Sequence, residues 1–217
     1  MRRTVVKVER EFGPFPGEPR VHGVEFDGEA LWFAAGRTLQ AIDPNTGTPT
    51  RSLELPADAG IAYDGKFFYQ LGNGQIHQVD PHTGKVIATV PTPPGSNSGL
   101  AWADGSLWLG RGSDQKILEL DPKTGKVLST IESDRFVTGV TFSEGELWHA
   151  TLLEPDKHPS ELRRVDRKTS AVLESLELPP GVGCTGLGSD KEGRFFCGGG
   201  KTGKVRVVKR PNVSARV

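Results

Sequence analysis

Gly99-Leu100-Ala101-Trp102, Leu107-Trp108-Leu109, Leu120-Asp121-Pro122-Lys123-Thr124-Gly125 and Lys126-Val127-Leu128-Ser129-Thr130-Ile131 follow one another closely in this chain. Each fragment is short and rich in aromatic or aliphatic residues, and turn residues separate it from the next. The segment therefore reads as four consecutive strands, A to D. The turn between C and D has a mechanism. The Asp121 carboxylate accepts from backbone N–H groups of the turn, and Gly125 supplies the positive φ.

The same pattern recurs on both sides. Upstream lie Gly23-Val24-Glu25-Phe26, Leu31-Trp32-Phe33 and Ile42-Asp43-Pro44-Asn45-Thr46-Gly47. Then come Gly60-Ile61-Ala62-Tyr63, Phe67-Phe68-Tyr69 and Val79-Asp80-Pro81-His82-Thr83-Gly84. Downstream are Gly139-Val140-Thr141-Phe142, Leu147-Trp148-His149 and Val165-Asp166-Arg167-Lys168-Thr169-Ser170. A fifth copy is partial: Gly186-Leu187-Gly188 leads to Phe195-Phe196-Cys197, and Cys197 to Lys209 aligns without a gap to Leu109 to Asp121. The leading glycines are spaced by 37, 39, 40 and 47 residues. Four strands per ~40 residues is the signature of a β-propeller blade. The expectation is an all-β, five-bladed β-propeller with four antiparallel strands per blade. The blades fall at 22–56, 59–94, 98–133, 138–180 and 185–210 within a single domain of 217 residues. The fifth copy lacks strand D. Thr4 to Glu9 alternates like a strand, so residues 4–12 are expected to close the ring three-plus-one and remove the open edge.

Composition agrees with this architecture. Gly (28) and Pro (16) make up about a fifth of the chain, and hydrophobic residues 35%. Lys plus Arg and Asp plus Glu both number 27, so the formal charge is zero and nothing argues for nucleic acid or an anionic membrane. Lys7 and Glu9 interrupt the apolar run a signal peptide needs. The expectation is a cytoplasmic monomer with a small-molecule or peptide partner at the mouth of the central channel. Two cysteines provide no disulfide framework. The sequence names no cofactor.

Propeller ligands usually meet the face made by the D-to-A and B-to-C loops, and the irregular polar residues of this chain gather there. The ligand-binding candidates are His22, Asp58, Asn97, Asp134, Arg135 and Cys184 in D-to-A loops, with Arg37, Arg111 and Lys201 in B-to-C loops. The fourth B-to-C loop carries an insertion, Leu152 to Ser160, that would flank or lid the mouth, or is a surface insertion. His149 stands in the column of Phe33, Tyr69, Leu109 and Cys197. It is a candidate acid–base group facing the channel, with Glu161, Glu154 or Asp134 as carboxylate partner; the alternative is a buried packing histidine. Cys184 and Cys197 fall on one hairpin, as core residues or, if the hairpin brings them together beside His149, as a soft metal site. The spacing is not a zinc signature, and no metal ligand is assigned. Gly198-Gly199-Gly200-Lys201-Thr202-Gly203 fails the phosphate-loop pattern, because Phe195 stands where its first Gly belongs and a strand follows. The glycines fit a close backbone approach instead. Trp32, Phe68, Trp108, Trp148 and Phe196 repeat with the fold and are expected in the inter-blade core.

These repeats resemble bacterial propellers of the streptogramin (virginiamycin B) lyase and glutamine cyclotransferase group. Phe136-Val137-Thr138-Gly139-Val140, Leu147-Trp148-His149-Ala150-Thr151 and Ser160-Glu161-Leu162-Arg163-Arg164-Val165-Asp166 are similar to the cyclotransferases' Phe-Thr-Gln-Gly-Leu, Leu-Tyr-Glu-Ser-Thr and Ser-x-Leu-Arg-x-Val-Asp. The resemblance implies closure of an N-terminal glutamine to pyroglutamate, with His149 where that family has a carboxylate. His22-Gly23-Val24 and Leu31-Trp32-Phe33-Ala34-Ala35 resemble the lyases' Pro-His-Gly-Ile and Leu-Trp-Phe-Thr-Glu, which implies Mg²⁺, with Ala35 at the glutamate position. Four functions compete: a ligand-binding propeller without chemistry, a cyclotransferase-like enzyme with an altered site, a metal-assisted lyase, and a protein-interaction platform. The absence of both families' carboxylates favours the first.

Overall fold

The computed structural model describes residues 1–18, 20–152, 154 and 158–211. Four residues of the fourth B-to-C insertion, Leu153 and Pro155 to Lys157, lie outside them. The chain is a five-bladed β-propeller. Blade 1 is β3 (Val24–Phe26), β4 (Leu31–Ala34), β5 (Gly36–Ile42) and β6 (Pro49–Ala57). Blade 2 is β7 (Ile61–Tyr63), β8 (Phe68–Gly72), β9 (Gln75–Val79) and β10 (Val86–Val90). Blade 3 is β11 (Asn97–Ala103), β12 (Ser106–Arg111), β13 (Lys116–Leu120) and β14 (Val127–Glu132). Blade 4 contains β15 (Val137–Ser143), β16 (Glu146–Thr151), β17 (Glu161–Val165) and β18 (Val172–Glu177). Blade 5 contains β19 (Gly186–Ser189), β20 (Arg194–Gly198) and β21 (Val205–Lys209).

The N-terminal segment is two strands, where the alternation suggested one. β1 (Arg2–Val5) pairs in parallel with β18 as a fifth strand on blade 4. β2 (Val8–Phe12) pairs antiparallel with β21 and closes the ring. Between them Val6 turns inward. Its N–H donates to Glu177 O at 3.0 Å, and its side chain enters the core between blades 4 and 5. Two blade edges thus share one short segment.

Strand pairing also corrects the reading of blade 2. Phe68 faces Val79 as Leu31 faces Ile42, so Phe68-Tyr69-Gln70 corresponds to Leu31-Trp32-Phe33. The run of aromatics at 67–69 hides a one-residue offset. The column of His149 is therefore Phe33, Gln70, Leu109, His149 and Cys197, with two buried polar members. The core column is Trp32, Tyr69, Trp108, Trp148 and Phe196, all buried. Tyr69 stacks on Trp102 of blade 3 at 5.2 Å and 10°.

The leading glycines are explained by space. A Cβ on Gly23, Gly99 or Gly139 would lie 2.5 Å from Ala59 O, Val140 N or Leu187 N of the next blade. At Gly60 and Gly186 the clash, with Leu100 N and His22 O, is closer still. Five innermost strands meet around the axis, and only glycine lets their backbones touch. A ring of hydrogen bonds closes there. Gly23 N donates to Ala59 O (3.2 Å) and Gly60 N to Ser98 O (2.8 Å). Ser98 Oγ donates to Val137 O (2.8 Å), Thr138 Oγ1 to Cys184 O (2.6 Å) and Thr185 Oγ1 to Val21 O (3.1 Å).

The C-to-D turns follow the expected chemistry. Asp43, Asp80, Asp121 and Asp166 each accept two backbone N–H bonds at 2.7–3.1 Å. Blades 4 and 5 put arginine where the others have the turn proline. Arg167 lies over Trp108 (5.6 Å) and Arg210 over Trp148 (5.2 Å), each on the tryptophan of the preceding blade.

Candidate functional site

Blade 4 brings together four of the residues expected from sequence: His149, Glu161, Asp134 and Arg135. Their organiser is Arg163, which the sequence reading left unassigned. On β17, Arg163 lies beside His149 of β16 in register. Its Nε donates to Glu161 Oε2 at 2.6 Å, and its Nη1 pairs with Asp134 Oδ1. Arg163 and Glu161 are both buried, so the charge pair is held out of water. Arg163 holds the Glu161 and Asp134 carboxyls below the usual range against the upward push of burial. Arg3 of β1 adds a looser contact to Glu161 at 3.7 Å. Arg135 donates to Pro159 O at 3.2 Å.

His149 is 1% exposed. Strand B is second from the axis, and its side chains point to the faces of the blade. His149 accordingly looks into the interface between blades 3 and 4, where the sequence reading had considered the channel. It lines a cavity of about 430 Å³ with Glu132, Ser133, Asp134, Val165, Ser170 and Val172. Burial pushes its pKa down to about 4, so the ring is neutral at pH 7. Its Nδ1 lies 3.3 Å from Ala150 O. A carbonyl only accepts, so the proton sits on Nδ1 and Nε2 carries a lone pair. Nε2 is buried and has no hydrogen-bond partner among the described residues.

The other candidates separate into smaller sets. Arg111 and Asn97 meet at 3.0 Å, but Arg111 is a buried clamp. It also donates to Pro93 O (2.8 Å) and Pro94 O (2.6 Å) and binds Asp114 (Nε to Oδ2, 3.0 Å). It ties the D-to-A loop to the B-to-C loop rather than facing solvent. His22 is half-buried with its pKa lowered by burial and by Arg20, and Asp58 opposes that shift. Arg37 lines a separate open cleft of about 690 Å³ between blades 1 and 2, with Glu54 and Asn73. Lys201 lines a third cavity of about 450 Å³ with Phe15 and Glu18. Cys184 is buried in the core between blades 4 and 5 beside Cys197, so its side chain is no part of a loop surface. That placement corrects its assignment as a mouth ligand.

Gln70 is the second residue that sequence reasoning missed. Its Nε2 donates to Ala59 O (3.2 Å) and Leu71 O (2.7 Å), while its buried Oε1 has no partner among the described residues. The signal existed, since Gln70 shares the column of His149, but the aromatic run before it masked the alignment. A third buried group is Glu25 on β3. Gly188, Ala62, Ala101 and Thr141 stand at the corresponding position of the other blades. Burial pushes Glu25 up to about 8, against the amides of Phe26 and Tyr63.

No three His, Cys, Asp or Glu side chains gather as a metal set among the described residues. His22 and the residues around it do not fit the Mg²⁺ that the lyase resemblance implies, and Cys184, Cys197 and His149 do not assemble a soft site. Among the described residues no helix is long and apolar enough to cross a membrane.

These features define a five-bladed propeller with a buried polar cluster on one blade. No protein-family model and no curated protein sequence matches the chain. Among solved structures, the glutaminyl cyclase of Myxococcus xanthus is similar, with a TM-score of 0.78 over 96% of this chain and 97% of that one. The identity is 18%, so the likeness is one of fold.

Proposed function

We propose that this chain is a binding propeller for a small molecule or peptide end. Its recognition centres on the blade 4 cluster between blades 3 and 4. The observation that carries this reading is His149, which lines a cavity shared with Asp134 and whose buried Nε2 has no hydrogen-bond donor among the described residues. Leaving such an atom unpaired costs about 1–3 kcal/mol. A ligand N–H or O–H reaching it recovers that cost. Asp134 on the rim favours a ligand that also carries positive charge. A peptide amino terminus offers both.

A second reading is cyclisation of an N-terminal glutamine. One observation favours it, the fold likeness to the glutaminyl cyclase, while His149 stands where the resembling family has a carboxylate. In that reaction the α-amine attacks the side-chain amide carbonyl, one C–N bond forms, and ammonia leaves. Nε2 would take the proton from the amine and return it to the departing nitrogen. With a pKa of about 4 it is a weak base for that step.

Calorimetric titration with a short peptide bearing N-terminal glutamine, and with its pyroglutamyl form, tests the first reading. Mass spectrometry of the same mixtures for ammonia loss tests the second. Binding that falls at least tenfold in His149→Leu, with the fold retained, supports the binding site. Equal affinity of variant and wild type refutes it.

A further inference from the structure

The core between blades 4 and 5 contains a second cluster that the blade 4 site does not use. Cys184 precedes β19 and Cys197 lies on β20. Both are buried, and the two thiols are within hydrogen-bonding reach of each other. The Cys184 thiol also donates to Gly186 O at 3.1 Å. Arg206 of β21 pairs in register with Cys197; burial and the facing Cys197 push the Cys184 thiol well above its ordinary range, and the Arg206 charge works against that rise. The Nε of Arg206 binds Glu11 at 2.7 Å, while its Nη1 is buried with no partner among the described residues. Gly199 crosses so near that a Cβ there would lie 2.6 Å from that Nη1. The glycine run 198–200 thus lets the backbone pass close over a guanidinium set beside two facing thiols.

We propose that Cys184 and Cys197 are a redox modification site, forming a reversible intrachain disulfide with a low-molecular-weight disulfide as oxidant. The Cys184 thiolate attacks the oxidant's S–S bond, making a mixed disulfide and releasing one small thiolate. The Cys197 thiolate then attacks the Cys184 sulfur and expels the second. The protein loses two protons and two electrons, and the oxidant is reduced to two thiols. Arg206 stabilises the attacking thiolate. Because both sulfurs are shielded, exchange awaits an opening of blade 5 and runs slowly under native conditions. The bond would join the residue whose carbonyl accepts Thr138 Oγ1 to the second strand of its own blade, fastening blade 5 at the axis.

The test is incubation of the native protein in a glutathione redox buffer, followed by acid quench, unfolding, alkylation and peptide mass spectrometry. The expected result is a Cys184–Cys197 cross-linked peptide, with alkylatable thiols falling from two to none and returning on reduction. Arg206→Gln should slow formation several-fold, while Arg194→Gln, on the same hairpin at the exposed turn, should not. Two alkylated thiols after prolonged incubation would overturn the proposal, as would glutathione held on one cysteine without the cross-link. The wild-type measurement suffices if Arg206→Gln fails to fold.

Discussion

Glu25 should make the stability of this protein fall between pH 6.5 and 8, and Glu25→Gln should abolish that fall. The carboxyl is 8% exposed, accepts from Phe26 N at 2.9 Å, and has a pKa raised to about 8 from 4.5. The folded protein thus keeps a proton that the unfolded chain has released. The stabilisation is complete below pH 4.5 and is lost as pH rises through 8. The lowered His149 and His22 act in the opposite sense, and only below their ordinary value of 6.5. The turn aspartates, all lowered from 3.8, matter only in acid. The window from 6.5 to 8 therefore belongs to Glu25. One pKa unit corresponds to about 1.4 kcal/mol, so the fall across the window is about 2 kcal/mol. For a chain of this size that lowers Tm by about 4–8 °C. Urea unfolding at several pH values across this window gives the slope directly. Glutamine keeps the acceptor for Phe26 N and cannot ionise, so its profile should be flat. A flat wild-type profile, or the same slope in Glu25→Gln, would refute the reasoning.

Three further outcomes follow from the packing and the charges. Gly139→Ala drives a methyl into Leu187 N and should cost about 3 kcal/mol, read as a lower urea midpoint. The same change at Gly145, where nothing lies within 4 Å, meets only the strain of its φ of +74° and should cost less. Arg163→Leu leaves Glu161 buried without its main partner and should cost about 3–5 kcal/mol, with Glu161→Gln in the same chain recovering most of it. His149→Leu removes the titration that opposes Glu25 between pH 4.5 and 6.5. Relative to the wild type, the variant should lose about 1.4 kcal/mol per pH unit there in denaturation experiments, because His22 acts equally in both.

The architecture was legible because it repeats. Glycine before strand A, a large apolar side chain in strand B and the Asp turn after strand C each answer a local need. Five copies of one need identify a blade. The N-terminal segment shows where this ends. Thr4 to Glu9 alternates throughout, yet Val5 is 68% exposed while Val6 enters the core, because two edges lie side by side in space. No local pattern records which edges those are. Blade 2 shows a second limit, since Phe67-Phe68-Tyr69 offers two alignments and only the pairing of Phe68 with Val79 selects one.

The site was partly legible. His149 stood out as polar in its column, and strand pairing keeps it there while replacing Tyr69 by Gln70 in blade 2. Its direction was not readable, because both faces of a blade are buried and alternation distinguishes them poorly. For the same reason Glu161-Leu162-Arg163-Arg164 looks like an ordinary surface strand, although Glu161 and Arg163 are buried together and Arg164 faces the other side.

The most direct test of the account is a long-range ¹H–¹⁵N NMR spectrum of His149 at pH 7, with and without a peptide bearing an N-terminal glutamine. The account predicts a neutral ring with its proton on Nδ1, and an unprotonated Nε2 whose resonance moves as it accepts a hydrogen bond from the peptide. A proton on Nε2, or an Nε2 resonance that the peptide leaves unchanged, would contradict it.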